Sequence, residues 1–101
     1  MPTYILSYFG EPQFANQDEG KAYQSKWMEW ENSLGENFGE LFPMKPAKTV
    51  SNDDVSDASM DNRLSGFATL TADSMDNAIA LVQTCPHLEY GTINVSEKWE
   101  M

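Results

Sequence analysis

The chain carries one cysteine, Cys85, and one histidine, His87, in 101 residues. A single thiol excludes an intrachain disulfide and a cysteine-rich zinc cage. One Cys and one His would leave only carboxylates to complete a transition-metal site, so neither a metal nor a cofactor is expected. Basic residues are scarce too: six Lys and Arg stand against sixteen Asp and Glu, a formal net charge of −10. Phosphate backbones are bound by Lys and Arg that displace counterions, which argues against nucleic acid as a partner. An anionic membrane surface is disfavoured on the same ground. The longest uninterrupted apolar run, Ala78 to Val82, falls far short of the ~20 residues a membrane-spanning helix needs. Residues 1–9 lack a basic n-region and Ser7 interrupts their apolar stretch. A cytoplasmic protein is expected, and a lone thiol fits a reducing compartment.

What is present is ordinary globular composition, 41% hydrophobic and 22% charged. A chain of this length has room for one core, so residues 1–101 are expected to form a single domain. Thr3 to Phe9 is aromatic and aliphatic and reads as a strand ended by Gly10 and Pro12. From Asp18 to Leu34 the period changes. Tyr23, Trp27, Trp30 and Leu34 fall at spacings of four, three and four, one stripe of a helix, with Lys21, Gln24, Ser25 and Glu31 on much of the opposite side. Asp18 and Glu19 suit the positive end of its dipole, and Gly35 can stop it by taking φ > 0.

Residues 36–65 are the least regular. They hold a short strand-like piece, Ala47 to Ser51, then the acidic stretch 52–62, read as an exposed connection because four aspartates between Asp53 and Asp61 would repel one another in a compact element. Those aspartates lack the spacing of a helix–loop–helix calcium loop. Gly66 to Ala72 is a second strand. Asp73 or Ser74 caps a helix with Met75, Ala78, Ile79 and Val82 on its buried stripe, and Pro86 ends it. Thr92 to Trp99 is the last strand.

The expected order is βαββαβ, a ferredoxin-like α+β fold with a four-stranded antiparallel sheet and two helices on one face. The other face would carry Phe67, Thr69 and Thr71 beside Thr92, Asn94 and Ser96, while Tyr4, Leu6 and Tyr8 could point either way. A sheet face of this kind is not left wholly in water, so a homodimer through the open sheet face is expected.

The run Leu64 to Ala78 (Leu-Ser-Gly-Phe-Ala-Thr-Leu-Thr-Ala-Asp-Ser-Met-Asp-Asn-Ala), followed by Cys85-Pro86-His87-Leu88, resembles the YCII-related family. The paired Trp27 and Trp30 and the segment Pro46 to Val50 are similar to one branch of it. The resemblance implies a dimeric α/β barrel made by two protomers facing sheet to sheet. Some relatives are thought to transfer protons with a His–Asp pair whose histidine lies on the first helix. This chain has no histidine between Asp18 and Leu34, so that pair does not carry over.

Candidate chemistry therefore rests on few residues. His87, whose unshifted pKa lies near neutrality, is the candidate general acid/base, with Glu89 its plausible partner in the protomer; the plain alternative is a histidine satisfying carbonyls at a helix end. Lys48 is the candidate anion holder, with Lys45 and Arg63 behind it, against the alternative of a solvated edge lysine. Tyr8 and Trp27 are candidates for a flat ligand slot between the first helix and the sheet, against plain core packing. Cys85 lies at the wrong end of a helix dipole for a nucleophile and reads as a buried, inert thiol. The function expected is acid/base chemistry on a small carboxylated or aromatic molecule in a dimer-enclosed pocket; the alternative is a non-catalytic ligand- or protein-binding dimeric module.

Overall fold

A computed structural model describes residues 1–45, 47–57 and 64–99. Among these residues, six strands and two α-helices follow one another as β1 Thr3–Phe9, α1 Gln17–Leu34, β2 Phe38–Pro43, β3 Lys48–Val50, β4 Val55–Asp57, β5 Leu64–Thr71, α2 Met75–Val82 and β6 Thr92–Glu97. Four of the strands make one antiparallel sheet in the order β2-β5-β1-β6. Both helices cover one face of it, which is the expected ferredoxin-like α+β arrangement.

β1 alternates strictly. Tyr4, Leu6 and Tyr8 are buried, so they point to the helices, and Ile5, Ser7 and Phe9 take the open face. The register then places Leu6 beside Ala68 and Val95, and Tyr8 beside Gly66 and Ile93. Phe67, Thr69 and Thr71 lie on the open face as expected, and there Phe67 stacks on Phe42 with ring centroids 4.6 Å apart. The described residues form a thin slab, 45 × 42 × 18 Å.

The helices begin and end for local reasons. Asn16 caps α1 by accepting from the Glu19 N–H at 2.9 Å, and the Glu19 carboxylate reaches back to the Ala15 N–H. Gly35 stops the helix at φ +57°, a conformation that costs other residues a Cβ clash. Trp30 and Leu34 are buried from the expected stripe, with Tyr23 and Trp27 half-buried at its outer end. Ser74, not Asp73, caps α2. Only Ala78 and Val82 of its expected stripe are buried; Met75 and Ile79 are exposed, because the i, i+4 row of Ala78 and Val82 faces the sheet and the neighbouring row of Met75 and Ile79 turns outward.

The second sheet strand is where the expectation fails. Phe38–Pro43, read as irregular, pairs with β5, whereas the piece at 47–51 leaves the sheet altogether. β3 pairs with β4 in a separate two-stranded hairpin, turned by Ser51 and Asp54: the Ser51 N–H and hydroxyl both donate to the Asp54 carbonyl, and the Asp54 N–H donates to the Ser51 hydroxyl. Residues 52–57 of the acidic stretch thus form part of an exposed hairpin, and 58–62 lie outside the described residues. None of the described helices is long and apolar enough to cross a membrane.

Candidate functional site

Tyr8, Trp27 and His87, drawn from three distant parts of the sequence, meet under the middle of α1. Tyr8 arrives from the end of β1 on its helix-facing side. Trp27 descends from α1. His87 comes from the 3-10 turn Pro86–Glu89 that follows α2. Cys85, preceding the proline, is extended at ψ 131°, and this redirects the chain so that the imidazole turns inward. The Tyr8 ring meets His87 at 5.2 Å and Trp27 at 5.6 Å between centroids, both edge to face.

His87 is buried, 4% exposed, and its Nε2 lies 2.9 Å from the Phe9 carbonyl oxygen. A carbonyl can only accept, so Nε2 carries the proton and donates, leaving Nδ1 as the nitrogen with a lone pair in the neutral ring. Glu89 is not its partner: that carboxylate pairs with Lys26 at 3.2 Å across the surface. The His87 carbonyl accepts from the N–H groups of Tyr90 and Gly91 at 2.9 and 3.0 Å, closing the turn into β6. The histidine therefore ties the end of β1 to the start of β6, in addition to any chemistry it performs.

Tyr8 is 3% exposed, and its hydroxyl is the buried side-chain oxygen that lacks a hydrogen-bond partner among the described residues. Burial holds this phenol far above its ordinary pKa, and the charges that Cys85, Glu31 and Tyr23 can carry add to the effect. Tyr23 is raised as well, chiefly by burial. Burial pushes the Cys85 thiol up to about 12, against a weaker pull from the His87 backbone N–H. The thiol is therefore protonated at neutral pH, which suits a packing role and disfavours a nucleophile.

Outward from Tyr8 the aromatic residues continue. Trp27 meets Tyr23 at 6.3 Å, Tyr23 meets Tyr90 at 5.2 Å, and Phe14 touches both Tyr23 and Tyr90 at 5.3 and 5.7 Å. This belt borders an open groove of 1040 Å³ between α1 and the edge of β2, lined by Phe14, Tyr23, Trp27, Glu31, Leu41 and Pro43 among others. Its size is that of a small-molecule site, ~300–1,000 Å³ being usual. The enclosure expected between two open faces needs a second copy. The single chain already carries a groove on its other side.

Lys48 is placed elsewhere. It sits on the β3–β4 hairpin, in a different sheet from Tyr8, with its side chain 67% exposed and paired with Asp57. Lys45 is exposed, and Arg63 lies outside the described residues. Asp73 and Asp76 are exposed near the start of α2. Among the described residues no group of three or more His, Cys, Asp or Glu is arranged to hold a metal ion.

Glu31, Phe14, Leu41 and Pro43 were not legible as site residues. Glu31 reads as part of the solvated side of α1, and Leu41 and Pro43 belong to the segment whose strand was not recognised. Phe14 had a usable signal: it stands just ahead of the Asn16–Glu19 cap, and its ring packs on Gly20 in the first turns of α1.

No family model matches the chain, and no curated protein matches it. Among solved structures, the chain is similar to 5-chloro-2-hydroxyhydroquinone dehydrochlorinase from Burkholderia phenoliruptrix AC1100, determined with 2,5-dihydroxybenzoquinone. The TM-score is 0.59 at 16% identity, over 97% of this chain and 93% of the other. At that identity the likeness shows the fold.

Proposed function

We infer that the chain is a homodimeric, YCII-related small-molecule protein that binds a small aromatic molecule in the groove beside α1 and acts on it by acid/base chemistry. The observation that carries this reading is the aromatic belt running from the groove wall to the buried Tyr8–His87 pair. Flat rings are held by such walls, and a proton donor or acceptor stands at the inner end. The dehydrochlorinase, which shares the fold and was determined with a quinone, supports the enzymatic side. Trp27 and Tyr8 are the binding residues of this reading and His87 its acid/base group, through Nδ1.

The second reading, a non-catalytic binding module, is favoured by one specific observation. The His87 Nε2–H is already committed to the Phe9 carbonyl, and Glu89 is committed to Lys26.

A thermal-shift panel of small phenols, benzoates and haloaromatics tests both. A ligand that binds only the folded state at a hundred times its Kd adds ~2.7 kcal/mol, worth ~10 °C or more in a domain this small. No shift with any member overturns both readings. Turnover of a stabilising compound, lost about 100-fold or more in His87→Gln, is the expected result for the enzyme. Unchanged turnover removes His87 from the mechanism, and stabilisation without turnover leaves the binding module.

The homodimer uses the open face, where Phe42 and Phe67 stack and Phe67 lies opposite Ser7, with Ile5 and Phe9 on either side of it along β1. Sedimentation at micromolar concentration is expected to give twice the chain mass, and Phe67→Glu to give the monomer. A wild-type monomer sinks the dimer without touching the groove.

A further inference from the structure

The groove reading leaves the Tyr8 hydroxyl unexplained. Buried polar atoms in folded proteins nearly always have a partner, and this one, on a residue 97% buried by its 3% exposure, has none among the described residues. Its neighbours do not remove the difficulty. The His87 Nε2–H goes to the Phe9 carbonyl, its Nδ1 makes no hydrogen bond with the hydroxyl, and the Cys85 thiol is a weak partner at best. Core packing alone does not account for the oxygen: a phenylalanine would make the same edge-to-face contacts with Trp27 and His87 without it.

The surroundings of this oxygen point towards the groove. Two of the groups whose charge it feels, Tyr23 and Glu31, line the groove wall. Along the sheet, the row through Tyr8 runs to Gly66 and then to Pro43, and the next row runs from Leu6 to Ala68 and then to Leu41. Leu41 and Pro43 line the groove. Between them and β1, therefore, the sheet carries only a glycine and an alanine. Both are buried, and Trp27 of the groove wall packs edge to face on the Tyr8 ring at 5.6 Å, so the hydroxyl lies one side chain behind the groove. The nearby Glu31 carboxylate, in a chain of net charge −10, disfavours an anionic group at that depth.

We propose that the Tyr8 hydroxyl is the specificity element of the groove, donating a hydrogen bond to a neutral oxygen borne on the ring of the bound molecule. The groove then takes phenols and related ring-oxygenated aromatics ahead of hydrocarbons of the same shape. The oxygen reaches Tyr8 past the Trp27 side chain, and the apolar remainder lies against Tyr23 and Leu41. This rests on the groove reading above and adds to it the chemistry of the ligand. A site that must satisfy a buried donor discriminates against the analogue lacking an acceptor, because the donor stays unpaired when that analogue binds.

The test uses p-cresol and p-xylene, which differ by a hydroxyl in place of a methyl, titrated into the full chain and followed by NMR at the Trp27 side chain. Wild type is expected to bind p-cresol about tenfold more tightly than p-xylene. Tyr8→Phe is expected to abolish that difference, and to hold or raise the melting temperature, since it removes only an unpartnered oxygen. Equal affinities in the wild type, or a preference that survives in Tyr8→Phe, overturn the proposal and leave the groove standing. If neither compound perturbs Trp27, the groove reading itself falls and this one with it. The wild-type comparison is decisive against the proposal even without the variant.

Discussion

Gly91→Ala is expected to unfold the protein or lower its melting temperature by about 15–30 °C, the largest effect of any single methyl group added to this chain. A Cβ built on Gly91 lies 1.9 Å from the Phe9 carbonyl oxygen and 2.9 Å from the His87 Nε2. Neither neighbour is the free end of a flexible side chain. The first is backbone at the end of β1, and the second is a buried ring already bonded to that same oxygen. To admit the methyl, β1 and β6 must part at their shared end, where Phe9 pairs with Thr92, or the imidazole must withdraw. Overpacking of this kind costs ~1–3 kcal/mol, and an imidazole N–H left buried without a partner adds ~1–3 more. In a domain of about 100 residues each kcal/mol is worth ~4–8 °C. Thermal unfolding followed by circular dichroism measures it. A melting temperature within a few degrees of wild type would mean that the two strands part easily, and that the His87–Phe9 bond does not hold them.

That junction also shows what the sequence could and could not reveal. Gly91 opens the last strand as expected, but α2 stops at Val82, before Pro86, and His87, expected at the end of that helix, lies inside the separate 3-10 turn that follows. Their contact with Phe9 could not be read, since it depends on β1 lying beside β6, and strand order is set by tertiary packing. The alternation of Thr3 to Phe9 was visible, but its direction was not, because aromatic and aliphatic residues fill both sides. The burial of Tyr4, Leu6 and Tyr8 decides it. In β2 the obstacle is a bulge. From Phe38 to Leu41 the strand takes three steps where β5 takes two, from Leu70 to Ala68, so the apolar residues no longer alternate. Gly39 belongs to that bulge, with its α-carbon pressed against Thr69, whose hydroxyl accepts from the Glu40 N–H at 3.1 Å. A period-two search fails on such a segment and passes to the next β-branched run, Lys48-Thr49-Val50, which forms a strand but in another sheet. Lys48 was carried away with it. The aromatic spacing of α1, by contrast, survives intact, and it is why Trp27 and Tyr8 were legible as neighbours of a slot while Glu31 was not.

Trp30→Ala is expected to cost ~3–5 kcal/mol, the range for truncating a buried aromatic, and so to approach the whole stability of a small domain. Trp30 is 5% exposed and meets Trp27 and Phe38 edge to face at 5.4 and 5.6 Å. Its indole N–H reaches the Leu81 carbonyl at 3.1 Å and the Thr84 hydroxyl at 3.0 Å, so one side chain of α1 fastens the end of α2. Two contributions can be separated by a second variant. In Trp30→Phe most of the ring contacts persist and the N–H is lost. The Leu81 carbonyl is not orphaned by that loss, because the Thr84 hydroxyl still donates to it at 2.8 Å. The polar part is thus worth ~1 kcal/mol rather than the larger cost of an unpaired buried acceptor. Urea unfolding of the two variants is expected to place Trp30→Phe much nearer wild type than Trp30→Ala. The reverse, a phenylalanine as damaging as an alanine, would mean that the bond to α2 holds the helices in place and the ring does not. In that case the groove beside α1 would depend on the position of α2 as well, since Trp30 packs against the Trp27 that forms its wall.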